Sequence, residues 1–255
     1  MSATRIAVNG VAGRMGRTVV ETASDREDLE VVVGFDVADV DAVRGVPVEH
    51  ADDVAAALAE YEPAVVVDFT VPESTLALAD ACVEAGVGMI IGTTGFDDDG
   101  IDRLRAVSDS VPVLKATNFS RGIQALLRAV REAVGALEGY DLELLETHHN
   151  GKVDAPSGTA NTILETVQEQ RDVEPVYGRE GHAPRSEDEI GVFARRAGDI
   201  RGEHELLLAG NDEVLSLSHR AEDRAVFAAG ALDAAAWLAG RNPEWYSFGA
   251  VIDDA

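Results

Sequence analysis

The chain has one cysteine, Cys82, only two lysines, and no apolar run approaching the ~18 residues that a membrane-spanning helix needs. A lone cysteine excludes an intrachain disulfide and allows a reducing compartment, where it is expected to pack as a small hydrophobe. Positive charge is equally scarce. Lysine and arginine together number 21 against 47 aspartates and glutamates, a formal net charge of −26. Such a surface repels nucleic acid and anionic lipid, so neither is expected as a partner. Residues 1–8 show no basic region leading into an apolar segment, which predicts a cytoplasmic protein. Self-repulsion of this size is relieved by ions, whose screening length falls to about 3 Å in molar salt, and the acid excess therefore points to a halophilic cytoplasm.

Against these absences stand 255 residues of which 46% are apolar, enough for a globular protein of two domains. Short β-branched runs alternate with amphipathic segments: Arg5–Asn9, Arg14–Ala23, Val31–Asp36, Asp53–Glu60, Ala64–Phe69, Glu73–Glu84, Gly88–Ile91, Gly100–Ser108 and Val111–Lys115. That rhythm predicts an α/β fold with a parallel sheet and right-handed crossovers. After residues 118–120 it changes to a long helix at Gly122–Leu137, a strand at Tyr140–Glu146, and a hairpin of Glu203–Leu208 with Glu213–His219. A last helix is expected at Arg224–Leu238, ended by Gly240. The expected organisation is a Rossmann-type dinucleotide-binding domain at 1–119 and an α+β substrate-binding and oligomerisation domain at 120–224, with 225–255 returning to the first.

Gly10-Val11-Ala12-Gly13-Arg14-Met15-Gly16 joins the first strand to the first helix, the context in which a glycine pattern implies a dinucleotide. The turn lets a pyrophosphate approach backbone amides at a helix start. Ala12 stands where the usual pattern has its second glycine, and a plain tight turn is the competing reading. Asp36, twenty residues after Gly16 at the end of the second strand, can take adenine-ribose hydroxyls. A carboxylate there repels a 2′-phosphate and Val37 offers no cation, so NADH is expected to be preferred over NADPH, with Arg14 leaving NADPH some purchase. Gly92-Thr93-Thr94 after a later strand is expected along the ribose and nicotinamide.

The densest chemistry lies in residues 146–160, which hold Glu146, His148, His149, Lys152, Asp154 and the Pro156-Ser157-Gly158-Thr159 helix start. Imidazoles titrate near neutrality, and a helix N-terminus favours an anion. Adjacent histidines on a strand point to opposite faces, so either could be structural. A metal shell from Glu146, His148, His149 and Asp154 is the weaker reading, and no metal is expected. Asp154 is expected to cap or brace the turn. His204 and His219 are expected to be structural or interfacial, and Arg196 and Asp199 to shape a loop near the substrate or subunit contact.

Together the glycine loop, Asp68-Phe69-Thr70, Gly92-Thr93-Thr94-Gly95, Asn118-Phe119-Ser120, the His148-His149-x-x-Lys152-x-Asp154-Ala155-Pro156-Ser157-Gly158-Thr159-Ala160 string and Arg196-Ala197-Gly198-Asp199-Ile200 resemble the 4-hydroxy-tetrahydrodipicolinate reductase family, also called dihydrodipicolinate reductase, from end to end. The resemblance implies reduction of a cyclic dicarboxylate by NADH or NADPH with loss of water, in the diaminopimelate route to lysine, by a homotetramer. It places the proton donor or acceptor on His148 and the proton donor on Lys152. Substrate contacts fall on His149, Gly158 and Thr159. Cofactor contacts fall on Gly10, Val11, Ala12, Gly13, Arg14, Met15, Asp36, Gly92, Thr93, Thr94, Ala116, Thr117, Asn118 and Phe119. Two alternatives stand beside it: a two-domain amino-acid dehydrogenase, and a non-catalytic NAD(H) sensor.

Overall fold

A computed structural model describes residues 3–254; Met1, Ser2 and Ala255, the ends of the expected first domain and tail, lie outside the described residues. The chain divides into two compact units, one of residues 1–120 with 224–255 and one of residues 121–223. Along the chain the first unit runs β1 (Thr4–Asn9), α1 (Arg14–Ala23), β2 (Leu29–Asp36), β3 (Ala42–Val43), β4 (Val46–His50), α2 (Val54–Tyr61), β5 (Val65–Asp68), α3 (Pro72–Ala85), β6 (Gly88–Ile91), α4 (Asp98–Val107) and β7 (Val113–Lys115). The second unit holds α5 (Arg121–Ala136), β8 (Asp141–His148), α6 (Gly158–Gln168), β9 (Glu174–Tyr177), β10 (Glu189–Arg196), β11 (Glu203–Gly210) and β12 (Glu213–Arg220). The chain then returns to the first unit through α7 (Ala225–Leu238), β13 (Trp245–Tyr246) and α8 (Phe248–Asp253).

The first sheet has the order β13-β7-β6-β5-β1-β2-β4-β3 and is parallel except for the β3–β4 pair. Strand β1 lies between β2 and β5, so the chain reverses its direction of growth there, and the carboxyl ends of these strands form the ligand-binding crevice of such sheets. Val65–Val67 and Met89–Ile91 are fully buried because helices cover both faces, which is why these strands read as continuous apolar runs. The β3–β4 hairpin was not expected. Its Arg44-Gly45 turn has positive φ at both residues, and two-residue strands carry too little alternation to be read from sequence.

The second sheet has the order β12-β11-β8-β10-β9. The β11–β12 hairpin closes through Asn211-Asp212, both with positive φ. Strands β9 and β10, also absent from the sequence reading, run parallel to each other and to β8. Helices α5 and α6 bury Ile123, Leu127, Val130, Ile163 and Val167 against Leu142, Leu144, Ile190, Val192, Leu206 and Leu208. Every second residue of the central strands thus faces the helices, and that alternation decides which polar side chains meet at the strand ends.

Candidate active site

Four polar side chains continue the helix-facing rows of the second sheet. Along β8 the row is Leu142, Leu144, Glu146, His148. On β11 it is Leu208, Leu206, His204, with His204 opposite Glu146, and on β10 it reaches Arg196 opposite His148. The N-terminus of α6 closes over them. Ser157 is its N-cap, accepting from the Ala160 N–H at 3.3 Å; its own N–H donates to Glu146 Oε1 at 3.2 Å, and its hydroxyl lies 3.1 Å from His204 Nε2.

Glu146 is 0% exposed, yet its carboxylate is saturated. The Arg196 guanidinium donates to both oxygens, at 2.8 and 2.9 Å, and His148 Nδ1 lies 2.6 Å from Oε2. Burial works to raise the pKa of Glu146, but the hydrogen bonds from His148 and Arg196 outweigh it and bring it down to about 2. An ionised Glu146 favours the tautomer in which Nδ1 of His148 is the donor, which leaves the lone pair on Nε2. Beside that atom is Gly202, at φ +149°, where a Cβ would sit 3.0 Å from Nε2. The His204 ring stands edge-on to His148 at 5.2 Å, and burial pushes its pKa down to about 3, so it stays neutral.

Lys152 follows in the loop between β8 and α6, its side chain 21% exposed and its Nζ 2.8 Å from Asp154 Oδ1. Asp154 is therefore the partner of Lys152 and not the helix cap, a role that falls to Ser157 because its hydroxyl sits at the Ncap position. Burial acts to raise the pKa of Asp154, but its hydrogen bond with Lys152 prevails and lowers it. Arg196 does more than shape a loop: it donates to the Asp154 carbonyl in the loop before α6, and its fork also holds Glu146. The Glu146-x-His148 spacing was the available signal for this pair, because residues two apart on a strand share a face. His149, half-buried, directly follows β8, while Gly158 and Thr159 open α6, with Thr159 buried.

In the first unit the glycine loop links β1 to α1. Helix α1 opens at Gly13 with no capping side chain and no acid in its first turn, whereas α4 is capped by Asp97 and carries Asp98 and Asp99. The start of α1 thus keeps its amides and positive potential for an anion. Asp36 reaches back to this loop, accepting from the Ala12 N–H at 2.8 Å and the Ala38 N–H at 2.9 Å, and Val37 beside it is 79% exposed. Thr93 is buried, Gly92 half-buried and Thr94 exposed after β6, and Ala116, Thr117, Asn118 and Phe119 follow β7. These residues fit a dinucleotide: backbone amides at the phosphate turn and a carboxylate at the ribose position.

Family models agree over nearly the whole chain: one described as dihydrodipicolinate reductase, N-terminus, matches residues 4–119, and one described as dihydrodipicolinate reductase, C-terminus, matches residues 122–252. The chain belongs to the dihydrodipicolinate reductase family. A 4-hydroxy-tetrahydrodipicolinate reductase of Haloarcula marismortui is 69% identical over 98% of this chain and 99% of its own length. One of Natronomonas pharaonis is 56% identical over 95% and 98%. Haloarcula is a halophilic archaeon, in keeping with the acid excess of this reductase-family chain. The fold is shared with a dipicolinate-bound dihydrodipicolinate reductase from Paenisporosarcina sp. TG-14, at a TM-score of 0.79 and 24% identity over 96% of this chain and 97% of that one. An amine dehydrogenase from Mycobacterium smegmatis shares it more loosely, at 0.67 and 14% over 97% and 96%, and such likeness speaks for fold alone. Among the described residues no helix is long and apolar enough to cross a membrane.

Proposed function

We infer that this chain reduces 4-hydroxy-tetrahydrodipicolinate to tetrahydrodipicolinate with NAD(P)H and loss of water, in lysine biosynthesis by the diaminopimelate pathway. The observation that carries the reading is the 69% identity to a reductase of that name over 98% of the chain. It favours this reaction over the amino-acid dehydrogenase and the sensor. When bound, the nicotinamide supplies the hydride; the protein's own residues bind the dicarboxylate and handle the proton.

Hydride addition to a ring conjugated with an imine leaves negative charge that must be protonated, so a positioned acid is needed. Lys152 serves as that proton donor. His148 gives or takes a proton at Nε2, because Glu146 occupies Nδ1. The substrate carboxylates are held by His149 and by the amides of Gly158 and Thr159 at the start of α6, where the helix dipole adds positive potential. Arg196 offsets the charge of Glu146, so the pocket stays receptive to an anion in a chain of −26.

NADH is preferred over NADPH in this reading. Asp36 beside the phosphate loop repels a 2′-phosphate, and exposed Val37 supplies no counter-charge. The protein works in the cytoplasm as a homotetramer. In support, β12 is a mostly exposed eight-residue edge, and the sheet face away from α5 and α6 carries an open hollow of about 600 Å³ lined by Leu145, Phe193, Leu207 and Tyr177. The deciding experiment is oxidation of NADH in concentrated KCl, with substrate made in place from pyruvate and aspartate semialdehyde by the upstream synthase. Rapid synthase-dependent oxidation is expected. Its absence in folded protein that binds NADH would overturn the assignment.

A further inference from the structure

Asp68 takes no part in the proton transfers above, yet it is 0% exposed at the carboxyl end of β5. Four donors converge on it. Asn9 Nδ2 at 2.8 Å and Thr70 Oγ1 at 2.7 Å donate to Oδ1, and Thr75 Oγ1 at 2.5 Å and Thr93 Oγ1 at 2.8 Å donate to Oδ2. They come from four separate segments: the end of β1, the turn after β5, the first turn of α3 and the turn after β6. Thr93 Oγ1 also accepts from the Thr70 N–H at 2.9 Å, which closes the network between the last two turns.

The residues next to Asp68 fill the remaining space. Gly10, at φ +74°, lies so near Thr70 that a Cβ would stand 2.6 Å from its methyl carbon, and a Cβ on Gly92 would stand 2.1 Å from the Phe69 ring. Asp68-Phe69-Thr70 therefore touches the glycine loop on one side and the Gly92–Thr94 turn on the other. A buried carboxyl among neutral donors costs more than an apolar residue would, so packing alone does not account for it. Burial pushes its pKa up while the four donors pull the other way. What the group adds is geometry, since one small acceptor fixes donors from four chain segments at hydrogen-bond distance.

We propose that Asp68 is a positioning residue for the nicotinamide cofactor, tying Asn9, Thr70 and Thr93 together so that the phosphate loop and the Gly92–Thr94 turn keep one spacing. The inference rests on the reading that those two turns hold the cofactor. It makes Asp68 matter for cofactor affinity and not for the chemical step.

The test is steady-state kinetics and direct NADH binding by the full chain in concentrated KCl, with Asp68→Ala, Asp68→Asn and Thr75→Val. Asp68→Ala is expected to raise both Kd and KM for NADH by about tenfold to a hundredfold. Its kcat at saturating NADH and its KM for the dicarboxylate should stay within about threefold, and Asp68→Asn, with the same shape, should recover most of the affinity. A lowered melting temperature with NADH affinity unchanged, or equal losses for both substrates, would overturn the proposal. If Asp68→Ala does not fold, Thr75→Val decides: it removes one link outside the cofactor turns and should weaken NADH binding by about threefold, and unchanged binding would overturn it. Failure of the unaltered chain to bind NADH would instead overturn the cofactor reading itself.

Discussion

Asp68 and Glu146 are both fully buried carboxyl groups at the carboxyl ends of central strands, but they are held in opposite ways. Asp68 meets only neutral donors and its pKa is raised; Glu146 meets a guanidinium and an imidazole and its pKa falls to about 2. The difference follows from what each region has to do. On the proposed function the phosphate turn of the first unit works through backbone amides, and there a neutral network that fixes turns is enough. In the second unit charged side chains must sit among apolar ones, and only close pairing makes their burial tolerable.

The sharpest way to break this comparison is to ask whether the chemistry belongs to the second unit alone. Lys152→Ala is expected to lower kcat by about a hundredfold to ten-thousandfold, the usual contribution of a positioned acid, with NADH affinity nearly unchanged. A large loss of NADH binding with intact turnover would contradict it. Next comes Glu146→Gln, which leaves the half-buried Arg196 facing a neutral amide and removes the anion that orients the His148 ring. It should lower kcat on the order of tenfold to a hundredfold through misorientation.

The same substitution tests the pairing thermodynamically. The folded pKa of Glu146, about 2, lies below its ordinary 4.5, so its contribution to stability is present above about pH 4.5 and is lost as pH falls towards 2. Denaturant unfolding at a series of pH values should therefore show the stability gap between the native chain and Glu146→Gln closing through that window. Asp68 acts with the opposite sign, because a raised carboxyl pKa gives stability that is present at low pH and is lost as pH rises. The smallest effect is expected in the first unit. Val37→Arg should raise the NADPH/NADH ratio of kcat/KM by about tenfold through a new cation for the 2′-phosphate, and an unmoved ratio would remove Asp36 and Val37 from the specificity argument.

The parallel sheet was readable because β5 and β6 are continuous apolar runs, strands and helices alternate, and Gly10–Gly16 and Asp36 fall at the ends where such sheets bind ligands. The hairpin of β11 and β12 was readable from its turn. Strands β9 and β10 were not: the first is four residues long with a proline, and the second is recognisable only once it lies beside β8. For the same reason the pairing of Arg196 with Glu146 was not legible, since nothing in the forty-nine residues between them shows that strand pairing brings the two together.

Local chemistry by itself determined the glycine turn, the Asp36 carboxylate at the end of β2, the His148 and Lys152 segment and the acid excess, because each depends on residue type and short spacing. Tertiary structure decided which partner each buried group has: Arg196 and His148 for Glu146, Ser157 for His204, and Asn9, Thr70, Thr75 and Thr93 for Asp68. Burial sets a free-energy cost that only a contact distant in sequence can offset, and such contacts exist only after the strands have found their order.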